Sequence, residues 1–130
     1  MRYKGGFLLV VFGLLTAVIP ALAHHSITAE FDPSKEISVT GVLTRVDWTN
    51  PHIYWYVDAK GDNGEVETWS FEGNPPSTLH RAGVKKEDWK IGEMVTVTAA
   101  AAKDGTKHFG FGKMIKYSDG HVLVFRVGGE

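Results

Sequence analysis

Six histidines and no cysteine bound the chemistry open to this 130-residue chain. The imidazoles stand at positions 24, 25, 52, 80, 108 and 121. Without thiols, iron–sulfur clusters, thiolate zinc sites and cysteine nucleophiles are excluded. His24-His25 is the most informative pair, because it follows Ala21-Leu22-Ala23, the small-x-small pattern after which a signal peptidase cuts. Cleavage there makes His24 the new N-terminus. An α-amine titrates near pH ~8, so it readily becomes a neutral nitrogen ligand. It can chelate one ion with the His24 imidazole, or join His25 through the intervening amide nitrogen. Nitrogen ligands in a plane suit Cu(II) or Ni(II) over zinc. If Ala23 is retained, His25 becomes the third residue, which is again a square-planar copper arrangement.

Two further residues could complete such a site. His52 follows Asn50-Pro51, where the proline ring restricts the backbone ahead of a strand. Glu72 falls opposite His52 if residues 60–64 form the loop between two antiparallel strands. A carboxylate beside an imidazole either ligates directly or orients the ring. The same two side chains also read as a simple cross-strand pair, and His24-His25 as a solvated tail. His80, His108 and His121 read as surface residues. Tyr54 and Tyr56 share one face of the strand after His52 and offer a stacking surface for a polymer or partner protein. Alternatively the chain before residue 36 or the 73–90 segment covers them. No catalytic residues emerge, since there is no G-x-S-x-G and the serines and carboxylates sit in no nucleophile or acid–base context. The chain therefore reads as non-enzymatic.

Placing these residues begins with export. Arg2 and Lys4 precede an uncharged apolar run from Gly5 to Ile19, so residues 1–23 read as a cleavable signal peptide. The run is too short to span a bilayer comfortably, and no stop-transfer pattern follows. Export implies a periplasmic or secreted location and no stable membrane span after cleavage. Removing 23 of the 130 residues leaves 107, enough for one modest core. Removing Arg2 and Lys4 from the 14 basic residues leaves 12 against 15 acidic ones. With no basic block, a nucleic-acid partner is not expected.

The mature chain reads as β. Residues 24–35 form a polar lead-in whose Phe31 docks on the domain, and residues 36–127 form the domain itself. Alternating or β-branched runs at 36–48, 52–58, 65–72, 93–102, 107–117 and 121–127 predict the strands. The apolar phase shifts near Gly41, which predicts a bulge or a sharp coil. The 60–64 loop sets Ala59 opposite Glu65, Trp55 opposite Trp69, Ile53 opposite Phe71 and His52 opposite Glu72. A one-residue slip would move the apolar residues to the wrong face. Between 73 and 90, Ser77 or Thr78 caps a short helix, Leu79 and Ala82 bury one side, and Gly83 stops it. The fold class that follows is all-β with small α content. Its architecture is a single small OB-like or related β-barrel of five to six strands, with a short helical connection after strand three. A β-sandwich is the alternative.

Several pieces carry a family resemblance: His24-His25-Ser26, Phe31-Asp32, Gly41-Val42, Trp48-Thr49-Asn50-Pro51-His52, Trp69 with Glu72, Leu79 to Gly83, Gly92 to Val95 and Ala102 to Gly105. On these the mature sequence resembles the small exported bacterial proteins of domain of unknown function 6152. The resemblance implies an envelope location and a single domain, and it implies no activity. Together with the residues above, the expectation is a periplasmic binding protein that takes copper or another divalent metal through His24, His25 and His52, with Glu72 in support. The alternative is an accessory module that binds a polymer or envelope protein through Tyr54 and Tyr56. A copper oxidase with an N-terminal histidine brace ranks last, because so short a chain offers little substrate platform. The oligomeric state is left open.

Overall fold

The shift in apolar phase near Gly41 marks the place where the longest strand changes partners. In the computed structural model, which describes residues 27–125, β1 runs from Phe31 to Asp47. Its first half pairs antiparallel with β4, Met94–Ala102. Its second half pairs with β2, Tyr54–Lys60. Val42 belongs to both ladders, facing Met94 on one side and Asp58 on the other. Such a crossing needs close backbones. A Cβ on Gly41 would lie 2.2 Å from the Asp58 carbonyl oxygen, a separation no side chain tolerates. Just beyond, a bulge between Leu43 and Arg45 inserts Thr44 and resets the alternation.

β3 (Val66–Glu72), β5 (Phe109–Tyr117) and β6 (Val122–Val124) complete the sheet. The strand order is β3-β2-β1-β4-β5-β6, and a parallel pairing of β3 with β5 closes five strands into a ring. A short helix, α2 (Pro76–Arg81), follows β3. This is the expected OB-like barrel. Leu43, Ile53, Trp55, Val57, Phe71, Val97 and Ile115 fill its interior. The connection after β3 plugs one end with Leu79, Val84 and Trp89. There Trp89 lies parallel to Phe125 and tilted against Trp55, with ring centroids 5.5 and 5.1 Å apart. A separate outer cluster joins Phe31, Ala100 and Phe111, against which Ile27 of α1 (Ile27–Glu30) packs. The docking of Phe31 follows from this cluster. β1 begins at Phe31 rather than 36, with Pro33, Ser34 and Lys35 bulged between two paired stretches. Asp32 shapes that bulge by accepting hydrogen bonds from the Ser34 amide and hydroxyl.

The β2–β3 register differs from the expected one by a shift of two. Lys60 pairs with Val66, so Trp55 faces Phe71, Val57 faces Trp69, and Tyr54 rather than His52 faces Glu72. The turn decides this. Gly61 N donates to Glu65 O at 2.8 Å, Gly64 takes φ 82°, and Asn63 Oδ1 accepts from the Glu65 amide at 3.1 Å. These bonds need residues 61–65 as the loop, which keeps Lys60 in the strand. A slip of two leaves every side chain on its own face, so the apolar pattern could not detect it.

The helix differs at its ends. Pro75 precedes it and Pro76 occupies its first turn, where no N–H is needed, so neither Ser77 nor Thr78 caps it. Ala82 is exposed, and Val84 takes the buried position instead. Gly83, at φ 84°, stops the helix as expected. Gly83 N donates to His80 O and Val84 N to Leu79 O, a Schellman arrangement that carries Val84 back onto Leu79.

Because a backbone oxygen cannot move aside as a side chain can, Gly41→Ala should destabilise the fold by about 3 kcal/mol or more. Gly64→Ala meets no atom within 4 Å and carries only a left-handed backbone, so it should cost about 1 kcal/mol. Urea denaturation of the two variants checks the ranking.

Candidate functional site

His52 lies two residues before Tyr54, and alternation puts both on the outer face of the barrel. Tyr54 faces Glu72 directly, so His52 reaches the same carboxylate on the diagonal. Its Nδ1 is hydrogen bonded to Glu72 Oε1. The segment that presents it is well held. Trp48 packs edge-on against Trp89 at 6.3 Å, and Gly73 N donates to Ile53 O at 2.9 Å. The Glu72 side chain is 9 % exposed and that of His52 30 %. A carboxylate so deeply buried needs partners. The imidazole provides one and leaves its Nε2 for a ligand.

Tyr54 provides another. Its phenol pKa is pushed up to about 12, first by burial, then by the negative charge of Glu72, then by its hydrogen bond to Glu72, with a smaller push from Glu30. Glu30 ends α1, so the N-terminal segment passes close enough for its charge to be felt at the site. That segment is anchored. Ile27 packs on the outer aromatic cluster, Lys103 N donates to Glu30 O, and the Lys103 ammonium donates to Thr28 O. His24 and His25 lie outside the described residues. From Ile27 back to His24 is three residues, at most about 10 Å of chain. Among the described residues, no group of three or more His, Asp or Glu is placed to hold a metal ion.

Tyr54 and Tyr56 do share an outer face with Ser70 and Thr68, and both are half-buried. Each has an intramolecular partner. The Arg45 guanidinium lies 4.0 Å over the Tyr56 ring and is held there by Asp47 at 3.1 Å. Elsewhere, His80 is exposed on α2, while His121 sits beside Tyr117 with ring centroids 6.0 Å apart. His108 is not an unpaired surface residue. Its Nε2 is 3.1 Å from Glu67 and its ring packs on Trp69. Both contacts depend on the parallel β3–β5 pairing, which joins distant segments and leaves no local signal in the sequence. No helix among the described residues is long and apolar enough to cross a membrane.

A sequence profile described as a family of unknown function, DUF6152, matches residues 12–111. The chain belongs to this family. The matched span holds His24, His25, His52 and Glu72, all of β1 to β4 and the start of β5. No curated protein is significantly similar. Among solved structures, the crystal structure of the mitochondrial single-stranded DNA-binding protein Rim1 from S. cerevisiae shares 16 % identity, with a TM-score of 0.48 over 65 % of this chain and 94 % of that one. A likeness at that level carries no functional argument.

Glu72→Gln removes the charge but keeps the shape, so the Tyr54 pKa should fall part of the way from about 12 toward 10. Carbon-detected NMR of the tyrosine rings against pH reads this directly. A phenol pKa raised on folding also means that the wild-type fold should lose stability as pH rises from about 10 through about 12.

Proposed function

We propose that this protein is an exported, non-enzymatic metal-binding module of the bacterial envelope, with copper as its metal. Its ligands are the α-amine and imidazole nitrogens of His24-His25, released by cleavage after Ala23, together with His52. Glu72 holds His52. The observation that carries the reading is the His52–Glu72 pair. A buried carboxylate hydrogen bonded to Nδ1 fixes the ring and its tautomer and leaves Nε2 as a ready ligand. The pair by itself is too small a donor set, which fits a site completed by the N-terminus. The anchoring of α1, whose Glu30 charge is felt at Tyr54, supports that arrangement, because little chain separates Ile27 from His24.

The alternative, polymer or protein binding through Tyr54 and Tyr56, has less support. Arg45 covers one face of Tyr56 and Glu72 engages the Tyr54 hydroxyl.

Titration of Cu(II) into protein exported with its native N-terminus should show one equivalent bound with a nitrogen-rich electron paramagnetic resonance signal. His52→Ala should change that signal and weaken binding at least tenfold. Glu72→Gln should weaken it on the order of 10–100-fold. One extra N-terminal residue should alter the signal as well. Binding that ignores both His52 and the extra residue would sink the reading.

A further inference from the structure

The two ends of the barrel are finished differently. The connection after β3 plugs one end. The other opens into a groove of about 770 Å³ between the β2–β3 turn and the β4–β5 loop. That volume is in the roughly 300–1,000 Å³ range of small-ligand sites. Trp69 forms its floor. This residue points into the barrel one rung above Phe71, stacks on it at 6.1 Å, and is left half-exposed where the barrel runs out. Glu67 and His108 stand beside the indole and are joined at 3.1 Å. The groove also meets an open backbone edge. β1 pairs with β2 only from Val42 onward, so from Ile37 to Thr40 alternate N–H and C=O groups on that side face the groove.

His108 has an unusual backbone as well. Among the described residues it is the one non-glycine with positive φ, at 53°, a left-handed conformation uncommon for residues other than glycine. Three contacts hold it there: its carbonyl accepts from Ser70 N at 3.0 Å, its ring packs on Trp69 at 5.0 Å, and its Nε2 meets Glu67. The strain presents a fixed imidazole–carboxylate pair at the edge of an aromatic ring.

We propose that this groove is a saccharide-binding site for an uncharged oligosaccharide of a few units. The lining chooses the class. Lys60 and Lys107 balance Asp62 and Glu67, so there is no field for an anion, and the Glu67 carboxylate beside the indole repels a phosphate or nucleotide. The polar rim disfavours a purely apolar guest. A flat aromatic ring takes the C–H face of a sugar, while the fixed carboxylate, and the imidazole Nδ1 left over when Nε2–H donates to Glu67, accept from adjacent hydroxyls. The site lies among groups other than His52, Glu72 and Tyr54, so it stands or falls independently of copper binding.

The test is a titration of the metal-free protein with neutral cello-, malto-, xylo- and chito-oligosaccharides, followed by nitrogen–proton NMR, with a phosphorylated sugar as the anionic probe. At least one neutral oligosaccharide should shift the Trp69 indole and the amides of residues 37–40 and 105–109 while leaving His52 and Tyr54 unmoved. Glu67→Gln should weaken that binding at least tenfold. His108→Asn, which tolerates the left-handed backbone, should do the same with the spectrum otherwise native. Absence of binding by every neutral sugar, preference for the phosphorylated one, or binding indifferent to both substitutions would overturn the proposal.

Discussion

One strand serving two ladders is the constraint on which the rest of this barrel depends. β1 can hold β4 along its first half and β2 along its second only if the backbones nearly touch where the ladders cross, and Gly41 against the Asp58 carbonyl is that point. The crossing closes the sheet with few strands. It also decides what the two ends look like. After it, the Thr44 bulge resets the alternation, so that Arg45 and Asp47 face outward beside Tyr56 and Tyr54. Before it, β1 has no partner on the β2 side, and the groove beside Trp69 is the space that this leaves.

The polar chemistry is distributed around that frame. On the outer face, a buried carboxylate would be costly alone, and Glu72 is matched by an imidazole from the segment before β2 and a phenol from β2 itself. At the open end, Glu67 is more exposed, and His108 reaches it from the β4–β5 loop. In each case a carboxylate on β3 meets a histidine from elsewhere in the chain. In one pair the imidazole is fixed and half-sheltered, which is what the copper proposal draws on. The other suits hydroxyls because it borders an indole and opens to solvent.

Much of the fold was legible because it rests on alternation and on turn residues. The six strands, the helix after the third, the stop at Gly83 and the disturbance near Gly41 all leave local marks. The β2–β3 register was half legible. Alternation fixed which face Trp55, Tyr54 and Glu72 occupy, but a shift of two preserves every face, and only the hydrogen bonds of Gly61, Asn63 and Gly64 choose between the two registers. The helix start was not legible for a related reason. Ser77 and Thr78 are good caps in isolation, yet Pro76 already satisfies the first turn by lacking an N–H.

The sequence by itself determined which residues could do chemistry and on which strand faces they lie, since composition and alternation are properties of neighbours along the chain. It singled out His52 with Glu72, although as directly opposed residues rather than diagonal ones. Only the tertiary structure decided that Glu72 is buried and shared with Tyr54, that α1 brings Glu30 within electrostatic reach of them, and that His108 joins Glu67 over Trp69. Those facts come from ring closure, in which β3 pairs with β5 and β1 turns from β4 to β2. Pairings between segments so far apart in the chain are settled by how the whole core packs, and no local pattern encodes them.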